Sequence, residues 1–382
     1  MLLTARQAAE RLGIKLDTLY AYVSRGRLRS VAVPGSRQRR YRASEVEALC
    51  DAAAASRRAD AEMTAPVIAS AICLIENGRH YYRGEDAIAL AGTVTLEEIA
   101  ALLWQGELSV GGAPPPPNAP PPSATGLIER CQIQLATLAD NDFPALDLTR
   151  SGVIRTGVRI LEALAACVGT IAAADESAPL HHRLAAGWRL GAAGADIVRR
   201  ALVLVADHEL NASTFVARCV ASTGATPYAV VAAALAALSG RRHGGASARA
   251  AALLRDVADS ADPLSAMAAR LARDEDLPGF GQPLYPAGDP RAAAILEALA
   301  DAFPAAAAPI ERAAAAGLRL TGQRPNVDFA LAAVATALGL PPHAALGLFV
   351  VGRAVGWIAH AIEQYEESTL IRPRARYYGP RP

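Results

Sequence analysis

The chain has 382 residues, a formal net charge of +1 at pH 7, 52% hydrophobic residues and only 5% aromatics. That length allows two or three domains and a large core of Ala, Leu and Val, a composition that favours helices. The near-neutral balance excludes an overall bias toward nucleic acid or membrane. Five scattered cysteines with no C-x-x-C argue against a disulfide framework or a zinc site and fit a reducing cytoplasm.

Charge is uneven along the chain. Residues 1–60 hold twelve Lys/Arg against six Asp/Glu, so a basic head precedes a slightly acidic body. Arg6, Glu10 and Arg11 interrupt any apolar run, so no leader peptide is expected. Thr4 can cap a helix Ala5–Leu12 that Gly13 ends, and Asp17 can cap a second through Val23 or Ser24, stopped by Arg25-Gly26. Ser30–Val33 and Arg39–Arg42 read as short strands around the turn Pro34-Gly35-Ser36, and Ser44 with Glu45 and Glu47 opens another helix. These elements, AAERLGIKLDTLYAYVSRGRL for two helices and RRYR for a wing, resemble the winged helix-turn-helix heads of the MerR and excisionase type. The resemblance implies a partner: duplex DNA bound through residues 1–50, with Arg25, Arg27, Arg39, Arg40 and Arg42 near the phosphates. A small basic domain that docks on protein is the alternative.

Residues 51–65 read as an Ala-, Arg- and Asp-rich linker or helical extension, and a second domain, 66–382, follows. Its opening, ICLIENGRHYYRGEDAIALAG, alternates early, and Asn77-Gly78 predicts a small hairpin. Thr95 caps a helix of period near 3.6. The insertion APPPPNAPPPSA, residues 113–124, must be extended and solvated. From Gly126 to Ile371 the chain reads as successive helices without a convincing strand. Tyr228–Leu238 is too short to span a membrane and Ala344–Ile362 is broken by Arg353, so both read as buried helices and no membrane contact is expected.

Chemistry-bearing residues then come in order. In LVADHELNASTFVARCVAST, residues 204–223, adjacent Asp207, His208 and Glu209 point about 100° apart on a helix, a poor metal chelate; no metal is expected. His208 alone could be a packed structural imidazole. In SGRRHGGASARA, Gly244-Gly245 leave backbone exposed beside His243. The segment LPGFGQPLYPAGDPR, 277–291, packs three Gly and four Pro into fifteen positions, a rigid loop ending in Arg291 and suited to a phosphate or carboxylate. Asp328, after Pro325-Asn326-Val327, has the place of a cap for a helix Phe329–Leu338. Arg353 lies inside the apolar LFVVGRAVGWIAHAIEQ, expensive unless it meets an anion, with Gly352 and Gly356 allowing close packing. Arg372, Arg374 and Arg376 could be a solvated basic tail.

Taken together and in this order, these segments resemble the citrate synthases: the YRG-D opening, ADHE-N-ST-ARV, HGGA, GFGHPLYP-GDPRA, NVD and the RPR tail. Two departures stand out, Arg241-Arg242 for the usual Pro-Leu and Gln282 for the catalytic His of the loop. The resemblance implies an all-α fold of large and small helical domains, with a CoA-binding subdomain near 245–335. It implies condensation of acetyl-CoA or propionyl-CoA with oxaloacetate, needing no metal or prosthetic group. Asp328 would take the α-proton and His243 would stabilise the enol. Gln282 would face the developing alkoxide, able to donate a hydrogen bond but not a proton. His208, Arg291 and Arg353 would hold oxaloacetate, joined in a homodimer by Arg372 reaching the other subunit's site. Leu277, Pro278, Gly279, Phe280 and Gly281 would meet CoA. An alternative is a DNA-binding regulator whose weakened body senses these metabolites.

Overall fold

A computed structural model describes residues 2–12, 14, 16–24, 28–32, 39–47, 49, 68–108, 126–169, 178–258, 260, 262–375, 377 and 379. Arg25, Gly26, Arg27, the turn at Pro34-Gly35-Ser36, the linker 51–65, the Pro-rich run 113–124 and Arg376 lie outside the described residues. The chain divides into two units, Met1–Ala69 and Ser70–Pro382.

The first unit runs β1 (Leu2–Thr4), α1 (Ala5–Leu12), α2 (Leu16–Ser24), β2 (Ser30–Ala32), β3 (Arg39–Arg42) and α3 (residues 43–47). Thr4 Oγ1 accepts from Gln7 N at 3.2 Å while Gln7 Oε1 accepts from Thr4 N at 2.9 Å, a reciprocal cap that fixes the start of α1. Its buried Ala8 and Ala9 pack with Leu3, Leu19, Leu28, Tyr41 and Val46. The antiparallel sheet has the order β1-β3-β2, with Leu3 and Ser30 both opposite Tyr41. Strand β1 is an addition to the elements expected from the sequence, since three residues are too few to show a period. On β3, Tyr41 is buried, Arg40 half-buried, and Arg39 and Arg42 exposed.

The second unit opens on the antiparallel strands β4 (Cys73–Glu76), β5 (Arg79–Tyr82) and β6 (Glu85–Asp86). Asn77 and Gly78 both take left-handed backbone, φ 53° and 73°, as a two-residue hairpin turn requires. Asp86 caps α4 (Ala87–Thr93), and Thr95 with Glu98 forms a capping box on α5 (Leu96–Trp104). Then follow α6 (Leu127–Ala139), α7 (Arg150–Val168), α8 (Leu180–Gly187), α9 (Ala192–Leu204), α10 (Ala212–Ala221) and α11 (Pro227–Leu238). Next are α12 (Gly245–Ala258), α13 (Pro263–Leu271), α14 (Pro290–Ala302), α15 (Pro304–Thr321), α16 (Val327–Ala337) and α17 (Ala344–Glu367). Proline at the first turn of α11, α13, α14 and α15 pre-sets φ where no intrahelical N–H is needed.

Helix α17 is long and apolar enough to cross a membrane, yet 94% of its most apolar window is buried inside the fold. It is the core helix, packed by α5, α7, α9, α10, α11 and α16. Helices α12 to α16 pack mainly on one another, α12 against α16 and α14 against both α15 and α16.

Candidate active site

The site grows from the C-terminal end of α9. A helix end leaves carbonyls without partners, and here three are taken from outside. Tyr82 Oη donates to Val203 O at 2.9 Å, Arg353 Nε to Val205 O at 2.7 Å, and Gly356 N to Ala206 O at 3.0 Å. The approach of α17 needs glycine: a Cβ would stand 2.6 Å from Leu202 O at Gly352 and 2.3 Å from Ala206 O at Gly356. Arg353 is thereby fixed at its root and stacks over Phe349, 4.7 Å from the ring centroid. Its Nη1 and Nη2 are buried without a hydrogen-bond partner. Burying donors of a cation this way is costly unless an anion completes them. Asp207, fully buried, supplies part of the opposing charge.

Asp207, His208 and Glu209 diverge to separate partners. Asp207 Oδ2 stands 3.3 Å from His360 Nε2, and Asp207 Oδ1 accepts from Glu209 N at 3.0 Å. Burial pushes the Asp207 carboxyl up, but His360 and Arg353 outweigh it and hold its pKa below the ordinary value. Glu209 Oε1 accepts from Ile75 N at 3.3 Å and so ties the hairpin down. His208 Nε2 lies 3.1 Å from Tyr285 Oη, and its ring meets His80 edge-on, centroids 5.6 Å apart. Burial, then Arg291 and Arg353, push the His208 pKa well down, so the ring is neutral at physiological pH. Among the described residues no three His, Cys, Asp or Glu side chains group as metal ligands would.

His243 sits in the turn before α12, its Nε2 2.8 Å from Ser213 Oγ. Burial and then Arg353 lower its pKa to about 4, so it too is neutral at pH 7. Ser213 also accepts from Trp357 Nε1 at 3.2 Å and donates to Asn211 Oδ1 at 3.0 Å.

Asp328 is not the cap that its position in the sequence suggests. Helix α16 begins at Val327, and Asn326 caps it, accepting from Asp328 N at 3.0 Å and Phe329 N at 3.4 Å. An amide side chain thus takes the capping role, and the carboxylate of Asp328 is released from it. Ser247 Oγ donates a hydrogen bond to Asp328 Oδ1. Burial raises the Asp328 pKa against the lowering pull of Ser247 and Arg291, as befits a base.

The loop 277–291 is held by its own backbone. Gly279, Gly281 and Gly288 have φ of 92°, 79° and 121°, and a Cβ at Gly279 would lie 2.9 Å from Phe329 Cβ. Asn326 N donates to Gly279 O at 2.8 Å and Asn326 Nδ2 to Gly281 O at 2.9 Å. Leu277 and Phe280 turn into the core, Phe280 lying 5.2 Å from Phe329 ring to ring, so their side chains are structural. Pro278 is half-buried. Gln282 is half-buried too, its Oε1 3.5 Å from Leu284 N of its own loop.

Arg291 is buried, with Nε and Nη2 gripped by both oxygens of Asp289 at 2.9 and 2.8 Å. The same Asp289 accepts from Arg291 N at 3.1 Å and from Val327 N at 3.1 Å, joining the loop to α16. Arg372 is exposed on the segment after α17, which Ile371 N anchors to Ser222 Oγ at 3.1 Å, and none of the cluster residues bonds to it. The structure therefore gathers His208, Arg291 and Arg353 with His80, Asp207 and Tyr285. Reasoning from sequence missed His80, Ser213, Ser247, Tyr285, Asp289 and His360. Tyr285 and Asp289 lay inside the quoted loop. His80 had only the inward register it shares with Tyr82 on β5 to mark it.

Residues 138–374 match the family model described as citrate synthase, C-terminal domain, and residues 2–52 match one described as a helix-turn-helix domain. A citrate synthase of Haloferax volcanii is 45% identical over 186 residues, 47% of this chain, and the match spans about half (49%) of that relative. A putative citrate synthase 2 of Mycobacterium tuberculosis is 34% identical over 335 residues, covering 80% of this chain and 88% of the relative. In overall fold the chain resembles the citrate synthase of Thermoplasma acidophilum, solved as a ternary complex with carboxymethyl coenzyme A and oxaloacetate. That likeness has a TM-score of 0.70 at 24% identity and covers 84% of this chain and 95% of the other.

Proposed function

The chain belongs to the citrate synthase family, and from that premise we propose that it condenses acetyl-CoA or propionyl-CoA with oxaloacetate in the cytoplasm, giving citrate or 2-methylcitrate and free CoA. The observation that carries the reading is the buried guanidinium of Arg353, whose Nη1 and Nη2 have no partner in the protein. Carboxylate oxygens complete those donors. Arg291 supplies a second cation, and Arg372 of the partner subunit a third, in a homodimer. Neutral His208 donates to oxaloacetate. Asp328, its pKa raised by burial, removes a proton from the α-carbon of the thioester, and neutral His243 stabilises the enol oxygen. The enol carbon then attacks the ketone carbon, forming the new C–C bond. Gln282 hydrogen-bonds the resulting alkoxide but cannot protonate it, so the proton of the product's tertiary hydroxyl comes from water. Water cleaves the thioester, and CoA leaves as the thiol. Helices α12 to α16, about residues 245–335, carry CoA beside the backbone of Leu277–Gly281, within a body of residues 66–382.

Thiol release from acetyl- and propionyl-CoA in the presence of oxaloacetate tests this reading directly. Asp328→Ala should lower the rate by about 10²–10⁴-fold while calorimetry shows oxaloacetate still bound. A wild type that releases no CoA from either thioester refutes the condensation.

The exposed Arg39 and Arg42 on a head that matches a helix-turn-helix family favour a second reading, a DNA-binding regulator whose body senses oxaloacetate or acyl-CoA. The full chain should then bind duplex DNA with an affinity that falls steeply as salt rises. Arg39→Ala with Arg42→Ala should flatten that slope, and no shift at low ionic strength rules the reading out.

A further inference from the structure

His80 stands at the middle of β5, opposite Ile75, and is fully buried with its side chain on the same face as Tyr82. Neither Nδ1 nor Nε2 has a hydrogen-bond partner. A buried polar group left unpaired destabilises a fold, and an aliphatic or phenyl side chain would fill this strand position without that cost. The surroundings show what the imidazole faces. Its ring lies edge-on to His208 at 5.6 Å and to Tyr82 at 4.8 Å, and Arg291, Arg353, Asp207 and Asp289 are the charges that act on it. Burial and then Arg291 push its pKa down to about 3, so the ring is neutral with one N–H to give. The two unpaired nitrogens of Arg353 belong to the same set of charges. Unsatisfied buried donors gathered in one place describe the negative imprint of a small anionic, oxygen-rich ligand.

We propose that His80 is a substrate-contacting residue of the oxaloacetate pocket, donating a hydrogen bond to a carboxylate or ketone oxygen of the molecule that Arg353 holds. This rests on the condensation reading above, and it adds an imidazole to a site whose loop carries Gln282 in place of one. Gln282 Oε1 is engaged, at 3.5 Å, by the backbone of its own loop.

The test compares wild type, His80→Leu and His80→Gln by calorimetry with oxaloacetate, by CoA release and by thermal melting without ligand. His80→Leu should raise both the Kd and the KM for oxaloacetate tenfold or more, leave the KM for acyl-CoA within twofold, and leave Tm unchanged or higher. His80→Gln, which keeps a donor, should recover part of the affinity. If His80→Leu binds oxaloacetate as wild type does, His80 only fills space and the proposal falls. Should His80→Leu fail to fold, His80→Phe, which also lacks a donor, decides by the same rule. Wild type alone decides the reading beneath: if it binds oxaloacetate yet releases no CoA, condensation fails while the Kd ratio still judges His80. A wild type that does not bind oxaloacetate overturns both.

Discussion

Ser247→Ala isolates the environment of Asp328. The hydroxyl donates to the carboxylate in a partly buried setting, where hydrogen bonds to charged groups contribute about 1.5–3 kcal/mol. A pKa change of one corresponds to about 1.4 kcal/mol, so full loss of the bond should raise the Asp328 pKa by about one to two. The proposed base must be ionised to act, and the acid limb of kcat/KM for acyl-CoA should therefore move to higher pH by that amount, with the plateau recovered at alkaline pH. Stability follows with a definite sign. A folded pKa raised above the unfolded value gives stability that is present below the unfolded pKa and is lost as pH rises through the folded one. Ser247→Ala raises the folded pKa further, so the variant should lose about 1.5–3 kcal/mol at pH 7 and little near pH 4. The assay is a pH–rate profile of CoA release paired with urea unfolding at both pH values. An acid limb that stays in place shows that Asp328 is not the group it reports, or that Ser247 does not bond it in solution.

Gln282→His restores a proton donor to the loop and should raise kcat by up to about 10²–10³-fold with the oxaloacetate KM within a few-fold. An unchanged rate would mean that the amide suffices. Arg353→Gln removes two charge-assisted donors at about 1.5–3 kcal/mol each and should weaken oxaloacetate binding by about a hundredfold or more in calorimetry; near-wild-type affinity would place the anion elsewhere. Gly356→Ala sets a Cβ 2.3 Å from a backbone oxygen, Ala206 O, so urea unfolding should show a loss of about 1–3 kcal/mol, and an unchanged midpoint would contradict the close packing of α9 on α17.

Features that depend on near neighbours along the chain were legible before any fold was known. Asn77-Gly78 set a hairpin, Thr4 and Thr95 set helix starts, and the glycines of 277–291 set a loop of one shape, because each acts through backbone geometry within a few residues. The ordered motifs also carried the all-α family fold. Which side chains meet was legible only in the packed molecule. Asn326 took the cap and freed Asp328; Asp289 claimed two nitrogens of Arg291 and also bound Val327, 38 residues away. Ser247 found Asp328 across 81 residues, and Tyr285 found His208 across 77. His80 reached His208 only because β5 lies against the end of α9. The difference is one of range: φ preferences and caps are settled by adjacent atoms, whereas hydrogen-bond partners and pKa values are set by burial and by charges that only the packed fold brings together.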